Sequence, residues 1–312
     1  MVSICVPAYK KPDFVTRLLD AVLLQDYKEV EVVITDDSPN DDIELAIAPY
    51  SDRLTVRYYR NIPAQGSPKN WNSAIDRSNG DFFMLVHQDD WFENPQAIST
   101  FVNALTNKPT AAFAFCKNIA QKADGEYLVL QAIPSLLYNL KSYPNRLLLA
   151  QVMGPPSNVM LKAEVKSVVR YDEKFIWLVD VDYNSRLIKA GYDYVYLDQH
   201  LMTIGLHKDQ TTEFCRENED IMFRENIWFA QKIGNPAFRD IKIYDYYWRL
   251  LRNYGIRNVD DFCANKLQAQ EMPEMIGSML KWQSRIPFFL LKFGPSSKIL
   301  MAVSYFFSSL RK

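Results

Sequence analysis

Apolar and polar positions fall into short alternating blocks along the first hundred residues. Residues 2–7 are a nearly continuous apolar run closed by Pro7, the composition of a strand buried on both faces. Phe14, Leu18 and Val22, beside Val15, Leu19 and Leu23, recur every four residues and predict an amphipathic helix. The β-branched run 30–35 reads as a second strand, ending abruptly in Asp36-Asp37-Ser38-Pro39, and 54–59 as a third. Residues 67–79 read as a helix stopped by Asn79-Gly80. Residues 82–86 form a fourth strand that also ends in a polar cluster, His87-Gln88-Asp89-Asp90, followed by a helix over 95–107.

Strands and helices alternating at this spacing predict right-handed βαβ units: an open, mostly parallel, Rossmann-like sheet with helices on both faces. From 111 to 205 the pattern is mixed. Strand-like pieces (112–116, 127–130, 159–161, 192–197) alternate with loops, and a helix over 181–190 stops at Gly191. Beyond Thr212 the chain reads as all-helical and rich in Trp, Tyr and Phe, so residues 1–212 and 213–312 are expected to form an α/β domain and a helical region. In open α/β sheets ligands sit outside the carboxyl ends of the strands. The pairs Asp36-Asp37 and Asp89-Asp90 should therefore open on one edge.

Composition narrows the chemistry. At 312 residues, 48% hydrophobic and 23% charged, the chain is an ordinary globular protein able to bury a large core. Its 10 glycines are never closer than 14 residues, which excludes the GxGxxG, GxxxxGK[ST] and GxSxG loops. The 3 histidines contain no HExxH pair and the 4 cysteines no CxxC, so a thiolate zinc site is not expected and reduced thiols fit the cytoplasm. A carboxylate-lined cleft without a phosphate-cradling glycine loop suits Mg²⁺ or Mn²⁺ bound together with substrate phosphates. The structural alternative is that such strand ends are solvated turns and helix caps.

The string VSICVPAYKKPDFVTRLLDAVLLQDYKEVEVVITDDSPND resembles the opening of the family 2 glycosyltransferases, which have the GT-A fold. So do GSPKNWNSAI from Gly66 and GDFFMLVHQDDW from Gly80, and the resemblance runs over about residues 1–210. It implies that Pro7 and Tyr9 meet the nucleotide and that Asp37, with Asp36 beside it, reads the base, typically the N–H of uracil. His87-Gln88-Asp89 occupies the family's DxD position, which makes Asp89 the metal ligand and puts His87 where a ribose-side acid usually stands. Trp71 replaces an Arg that often precedes Asn72, so Lys69 and Asn72 fall to base or phosphate contacts. Asp180, in Val-Asp-Val-Asp from Val179, matches the general base, with Val179 in place of the usual Glu. Its structural alternative is a helix N-cap. His207 matches a His that closes over the metal or diphosphate.

The function this implies is inverting transfer of a sugar from a nucleotide-sugar donor, with UDP-sugars foremost, to a hydroxyl of a saccharide or lipid-linked acceptor in surface polysaccharide synthesis. Mn²⁺ or Mg²⁺ is the implied cofactor. Two other classes remain: a nucleotidyltransferase, which the glycine spacing argues against, and a non-catalytic binding or scaffold protein with a decayed site, which His87 and Val179 leave open. The net charge of −1 hides an asymmetry: after Glu274 no acid occurs, while six basic residues do, leaving −7 on the rest. The body is thus ill-suited to nucleic acid, and the tail suits an anionic surface. Ile299, Val303, Phe306 and Leu310 would line one face of a tail helix, as a membrane anchor, a subunit interface of a homo-oligomer or an internal packing face. With no basic n-region and no 20-residue apolar run, the expectation is a cytoplasmic protein, peripheral on the inner face of the plasma membrane.

Overall fold

The computed structural model describes residues 1–122, 124–130 and 134–309. Leu310, Arg311 and Lys312, the end of the predicted basic, apolar tail, lie outside the described residues. The chain packs as two compact units: one of Met1–Pro144 with Gln151–Gln210, the other of Asn145–Ala150 with the chain after Gln210.

The first unit is an α/β sheet. Its strands are β1 (Val2–Ala8), β2 (Val30–Asp36), β3 (Thr55–Arg60), β4 (Phe82–Leu85), β5 (Trp91–Phe92), β6 (Ala111–Lys122), β7 (Tyr127–Leu130), β8 (Val159–Lys162) and β9 (Asp193–Leu206). Its helices are α1 (Pro12–Leu23), α2 (Asp42–Ile47), α3 (Lys69–Asp76), α4 (Ala97–Asn107), α5 (Pro134–Tyr138) and α6 (Val179–Lys189). Strand order is β3-β2-β1-β4-β8-β6-β9-β5, with β7 paired to β6. β1 carries β2 and β4 on its two sides, both parallel, and its side chains are covered above and below. Val2, Ile4, Val6 and Ala8 join Val15, Leu18, Leu19 and Val22 of α1 and Ile98, Phe101 and Leu105 of α4 in one core. On the opposite face the Thr35 hydroxyl donates to the Asn70 carbonyl of α3 at 3.2 Å. Burial on both faces is why these strands read as unbroken apolar runs.

The expectation of a mostly parallel sheet holds for β3-β2-β1-β4 and for β6 with β9. The remainder is mixed: β8 runs antiparallel to both β4 and β6, and β5 and β7 are antiparallel to their partners. β9 is also much longer than the predicted 192–197, because its second half pairs with the far end of β6 through shifts in register. That extension carries the chain to Gly205 and His207.

The second unit is helical: α7 (Thr211–Glu217), α8 (Glu219–Ala237), α9 (Ile241–Asn253), α10 (Val259–Cys263), α11 (Glu274–Gln283), α12 (Phe288–Lys292) and α13 (Gly294–Ser309). α8 breaks at Gly234, whose φ of 67° no L side chain adopts readily. Phe223, Ile227, Tyr244, Tyr247, Trp248 and Ile276 are fully or almost fully buried, which accounts for the aromatic richness of this stretch. Arg146 clips residues 145–150 to the start of α9, donating from Nε and Nη2 to the two Asp240 carboxylate oxygens at 2.5 and 3.1 Å.

Candidate active site

Parallel pairing in register brings Ala8, Asp36 and Arg60 to the same level, so the carboxyl ends of β1, β2 and β3 form one edge. The polar cluster after β4 joins it. The Gln88 side chain forms a two-bond bridge to the Tyr9 backbone, accepting from the Tyr9 N–H and donating to its carbonyl, both at 3.0 Å. Pro7 ends the buried strand there, and Tyr9 is half exposed. Lys10 and Lys11 follow with φ of 53° and 57°, two successive left-handed residues at the mouth of this edge, a conformation that costs about 1–2 kcal/mol per non-glycine residue. The Lys10 N–H donates to the Ser38 hydroxyl at 2.6 Å and so ties the β1 and β2 loops together.

The two predicted carboxylate pairs divide into distinct roles. Asp36 is fully buried and holds its own turn, accepting from the Ser38 N–H and the Tyr58 hydroxyl, both at 2.8 Å. Asp37 organises the loop after β3: it accepts from Asn61 Nδ2 at 2.8 Å, Gln65 N–H at 2.9 Å and Gly66 N–H at 2.8 Å. Oδ2 takes one of these three bonds, which leaves it acceptor capacity for a further donor. Lys69 is exposed at the start of α3, whereas Asn72 is buried and turned to structure. Its amide both accepts from and donates to the Tyr171 backbone, at 3.1 and 2.9 Å, so the expected nucleotide contact from Asn72 gives way to an anchoring role.

Around the end of β4, His87, Asp89 and Asp90 each offer one ligand atom, all within 4.8 Å of one another. His87 Nε2 is buried without a hydrogen-bond partner, and burial depresses its basicity, which keeps the imidazole neutral and able to ligate. One imidazole and two carboxylates suit Mn²⁺ or Mg²⁺, so the donor set fits the cation that the sequence implies. His207 is placed against Asp89 instead of inside this cluster: its Nε2 lies 2.9 Å from Asp89 Oδ2. Burial raises the Asp89 pKa, but the His207 hydrogen bond, with the two histidine side chains that flank the carboxylate, outweighs it and holds the group below the ordinary carboxylate range. Asp90 moves the other way, driven well up by complete burial and then by Asp89 beside it. It accepts from the Ser157 hydroxyl at 2.5 Å and the Gly205 N–H at 3.2 Å.

Several members of this centre were not legible as site residues. Arg17 donates from Nη2 to the Asp89 carbonyl at 2.7 Å while its guanidinium stacks 3.9 Å from the Trp91 ring. A Cβ on Gly205 would lie 2.4 Å from the Asp89 carbonyl oxygen, so β9 can pass the His87–Asp89–Asp90 cluster undisplaced only as glycine. The isolated Gly inside a strand-like run was the available signal. Trp71, at the family's Arg position, packs against His87 with ring centroids 4.8 Å apart and edge-on against Tyr171 at 5.2 Å; Tyr171 in turn stacks on Tyr183 of α6 at 4.0 Å. This aromatic chain runs from His87 to the helix that carries Asp180.

Asp180 is not the N-cap of that helix. The cap is Leu178, and Asp180 sits in the first turn, its Oδ1 accepting from the Val181 N–H at 2.8 Å. Burial pushes its pKa up to about 6, opposed by the Val181 bond and the adjoining Gln151 amide. A carboxyl poised there is largely ionised at neutral pH yet still basic enough to take a proton.

Residues 3–165 match the glycosyl transferase family 2 model. The chain belongs to that family. As a family 2 glycosyltransferase it is 25% identical over 256 residues to the amylovoran biosynthesis glycosyltransferase AmsB of Erwinia amylovora, covering 80% of this chain and 83% of that one. Among solved structures it is similar to S. aureus TarS 1–349 in complex with UDP, with a TM-score of 0.59 and 16% identity over all of this chain and 92% of that one. The mannosyltransferase PcManGT from Pyrobaculum calidifontis, in complex with GDP-Man and Mn²⁺, gives 0.53 and 13%, over 99% and 86% of the two chains. These structural likenesses establish the shared fold.

Proposed function

We propose that this glycosyltransferase moves a hexose or N-acetylhexosamine from a UDP-sugar to an acceptor hydroxyl with inversion, using a divalent cation, in the assembly of a surface polysaccharide. The observation that carries the reading is the pairing, within one unit, of the His87–Asp89–Asp90 cluster with a partly buried carboxyl at Asp180 whose pKa is raised to about 6. Support for the donor comes from TarS, whose fold this chain shares and which has been solved with UDP-GlcNAc and with UDP. AmsB, named for amylovoran biosynthesis, supports the polysaccharide role.

His87, Asp89 and Asp90 would hold the cation, whose chemistry when bound is to neutralise the donor diphosphate as it departs. Asp37 takes the uracil N–H on its remaining Oδ2 lone pair, and the Tyr9 backbone, fixed by Gln88, borders the nucleoside. Asp180 accepts the acceptor hydroxyl's proton as that oxygen attacks the anomeric carbon from the face opposite the leaving group. His207 and Arg17 keep the Asp89 carboxylate and backbone in place. The test is release of nucleoside diphosphate from a panel of UDP-, GDP- and dTDP-sugars with Mn²⁺, Mg²⁺ or chelator. Metal-dependent release from a UDP-sugar is expected. A protein that binds none of these donors and releases no diphosphate would be a binding or scaffold member, and release from another nucleotide would move the base assignment away from Asp37.

A further inference from the structure

Helix α13 is amphipathic with its faces reversed. Its inward stripe is Ser297, Met301, Ser304 and Ser308, spaced by three and four residues and buried. The serines are held by polar partners on α9: Trp248 Nε1 donates to Ser297 Oγ at 3.2 Å, and the Tyr244 and Ser304 hydroxyls lie 2.7 Å apart. The outward side carries Ile299, Val303 and Phe307, exposed by 67, 40 and 50%. Just before it, Phe289 and Phe293 on α12 and its end are exposed by 70 and 62%. A helix that turns its small polar residues to the core and shows branched and aromatic ones to solvent has its larger apolar area left uncovered by folding. Lys281 on α11, Arg285 just after it, Lys292 on α12 and Lys298 on α13 are exposed, and no acid follows Glu274.

We propose that this α12–α13 face docks on an anionic lipid bilayer, with the helices lying in the interfacial plane. The charge pattern selects this occupant. A second copy of the chain, meeting the patch about a two-fold axis, would bring its four cations toward the same four, and the chain from 275 onward supplies no acid to offset them. A lipid surface bearing phosphate headgroups accepts the cations, while its acyl boundary takes the phenylalanines. The 16 residues of α13 reach about 24 Å at 1.5 Å each, short of a bilayer core of about 30 Å, and no described helix is long and apolar enough to cross a membrane. The experiment is sedimentation of the full chain with vesicles of phosphatidylcholine alone or mixed with phosphatidylglycerol, at low and high salt, beside analytical ultracentrifugation without lipid. Binding to the mixed vesicles at low salt is expected, weakened by salt and at least about tenfold lower on the neutral ones. Replacing Lys292→Gln with Lys298→Gln should lower it about twenty-fivefold, about fivefold per charge. Phe289→Ser with Phe293→Ser, likewise on exposed positions, should lower it at least as much while the melting temperature stays put. Equal binding to neutral vesicles, or indifference to both variant pairs, would overturn the proposal. So would a concentration-dependent dimer that the phenylalanine variant dissociates, with no vesicle binding.

Discussion

Replacing Asp180 with asparagine tests the general base directly, because the substitution should raise stability while it lowers the rate. Burial lifts this carboxyl from 3.8 to about 6. The folded protein therefore holds this proton more tightly than the unfolded chain does, so Asp180's own contribution to stability is most favourable below about pH 4 and declines as pH rises to about 6. At 1.36 kcal/mol per pH unit, keeping this partly buried group charged at pH 7 costs up to about 3 kcal/mol. An asparagine at this position would be neutral at every pH, and its side-chain oxygen can still accept from the Val181 N–H, which Asp180 binds at 2.8 Å. Asp180→Asn should thus melt at a higher temperature than the parent at pH 7 and lack the part of the decline between pH 4 and 6 that Asp180 supplies, read as the difference between the two proteins. Transfer should drop by about 10²–10⁴ through loss of proton abstraction. In the parent, kcat/KM should rise about tenfold per pH unit below 6 and level off above it, and that inflection should vanish in the variant. Scanning calorimetry from pH 4 to 8 and metal-saturated diphosphate-release rates over the same range provide both readouts. A variant that transfers within about tenfold of the parent, or keeps an inflection near pH 6, would refute the assignment of the base.

Asp89→Ala should abolish Mn²⁺-dependent UDP binding in calorimetric titration, since the site loses one of its two carboxylates, the one whose pKa lies below the ordinary range; unchanged Mn²⁺-linked affinity would place the cation elsewhere. Gly205→Ala should destabilise the protein by about 1–3 kcal/mol and weaken metal-dependent binding, because the new methyl would sit 2.4 Å from the Asp89 carbonyl oxygen; equal melting and affinity would show that the strand yields freely. Asn72→Ala strips both backbone bonds from Tyr171 and should cost about 1–3 kcal/mol in denaturant titration. If that variant instead lost UDP affinity at full stability, Asn72 would return to the nucleotide.

Sequence pattern alone determined the β1–α1–β2–β3–α3–β4 half of the sheet and the strand-end carboxylates. The reason is local: a strand sandwiched between helices must be apolar on both faces, and a helix on that sandwich must repeat every three to four residues. It also marked Asp36-Asp37 and His87–Asp90, since polar clusters abruptly ending apolar runs mark where parallel strands surface. Tertiary structure alone decided which of those groups are taken up in holding the fold. Asp36, Asp37 and Asn72 are alike as polar positions in the pattern, yet one closes a turn, one holds the loop after β3 and one pins Tyr171. The His87–Asp89–Asp90 cluster was half hidden for a related reason. Asp90 depends on Ser157 and Gly205, and Asp89 on His207, partners 67, 115 and 118 residues away that only the antiparallel β8 and the long β9 bring close. Helix α13 shows the same limit most plainly. Its periodicity gave two faces, but which face turns inward depends on whether the neighbouring helix offers hydroxyl and indole partners, and α9 offers Tyr244 and Trp248 to the serines.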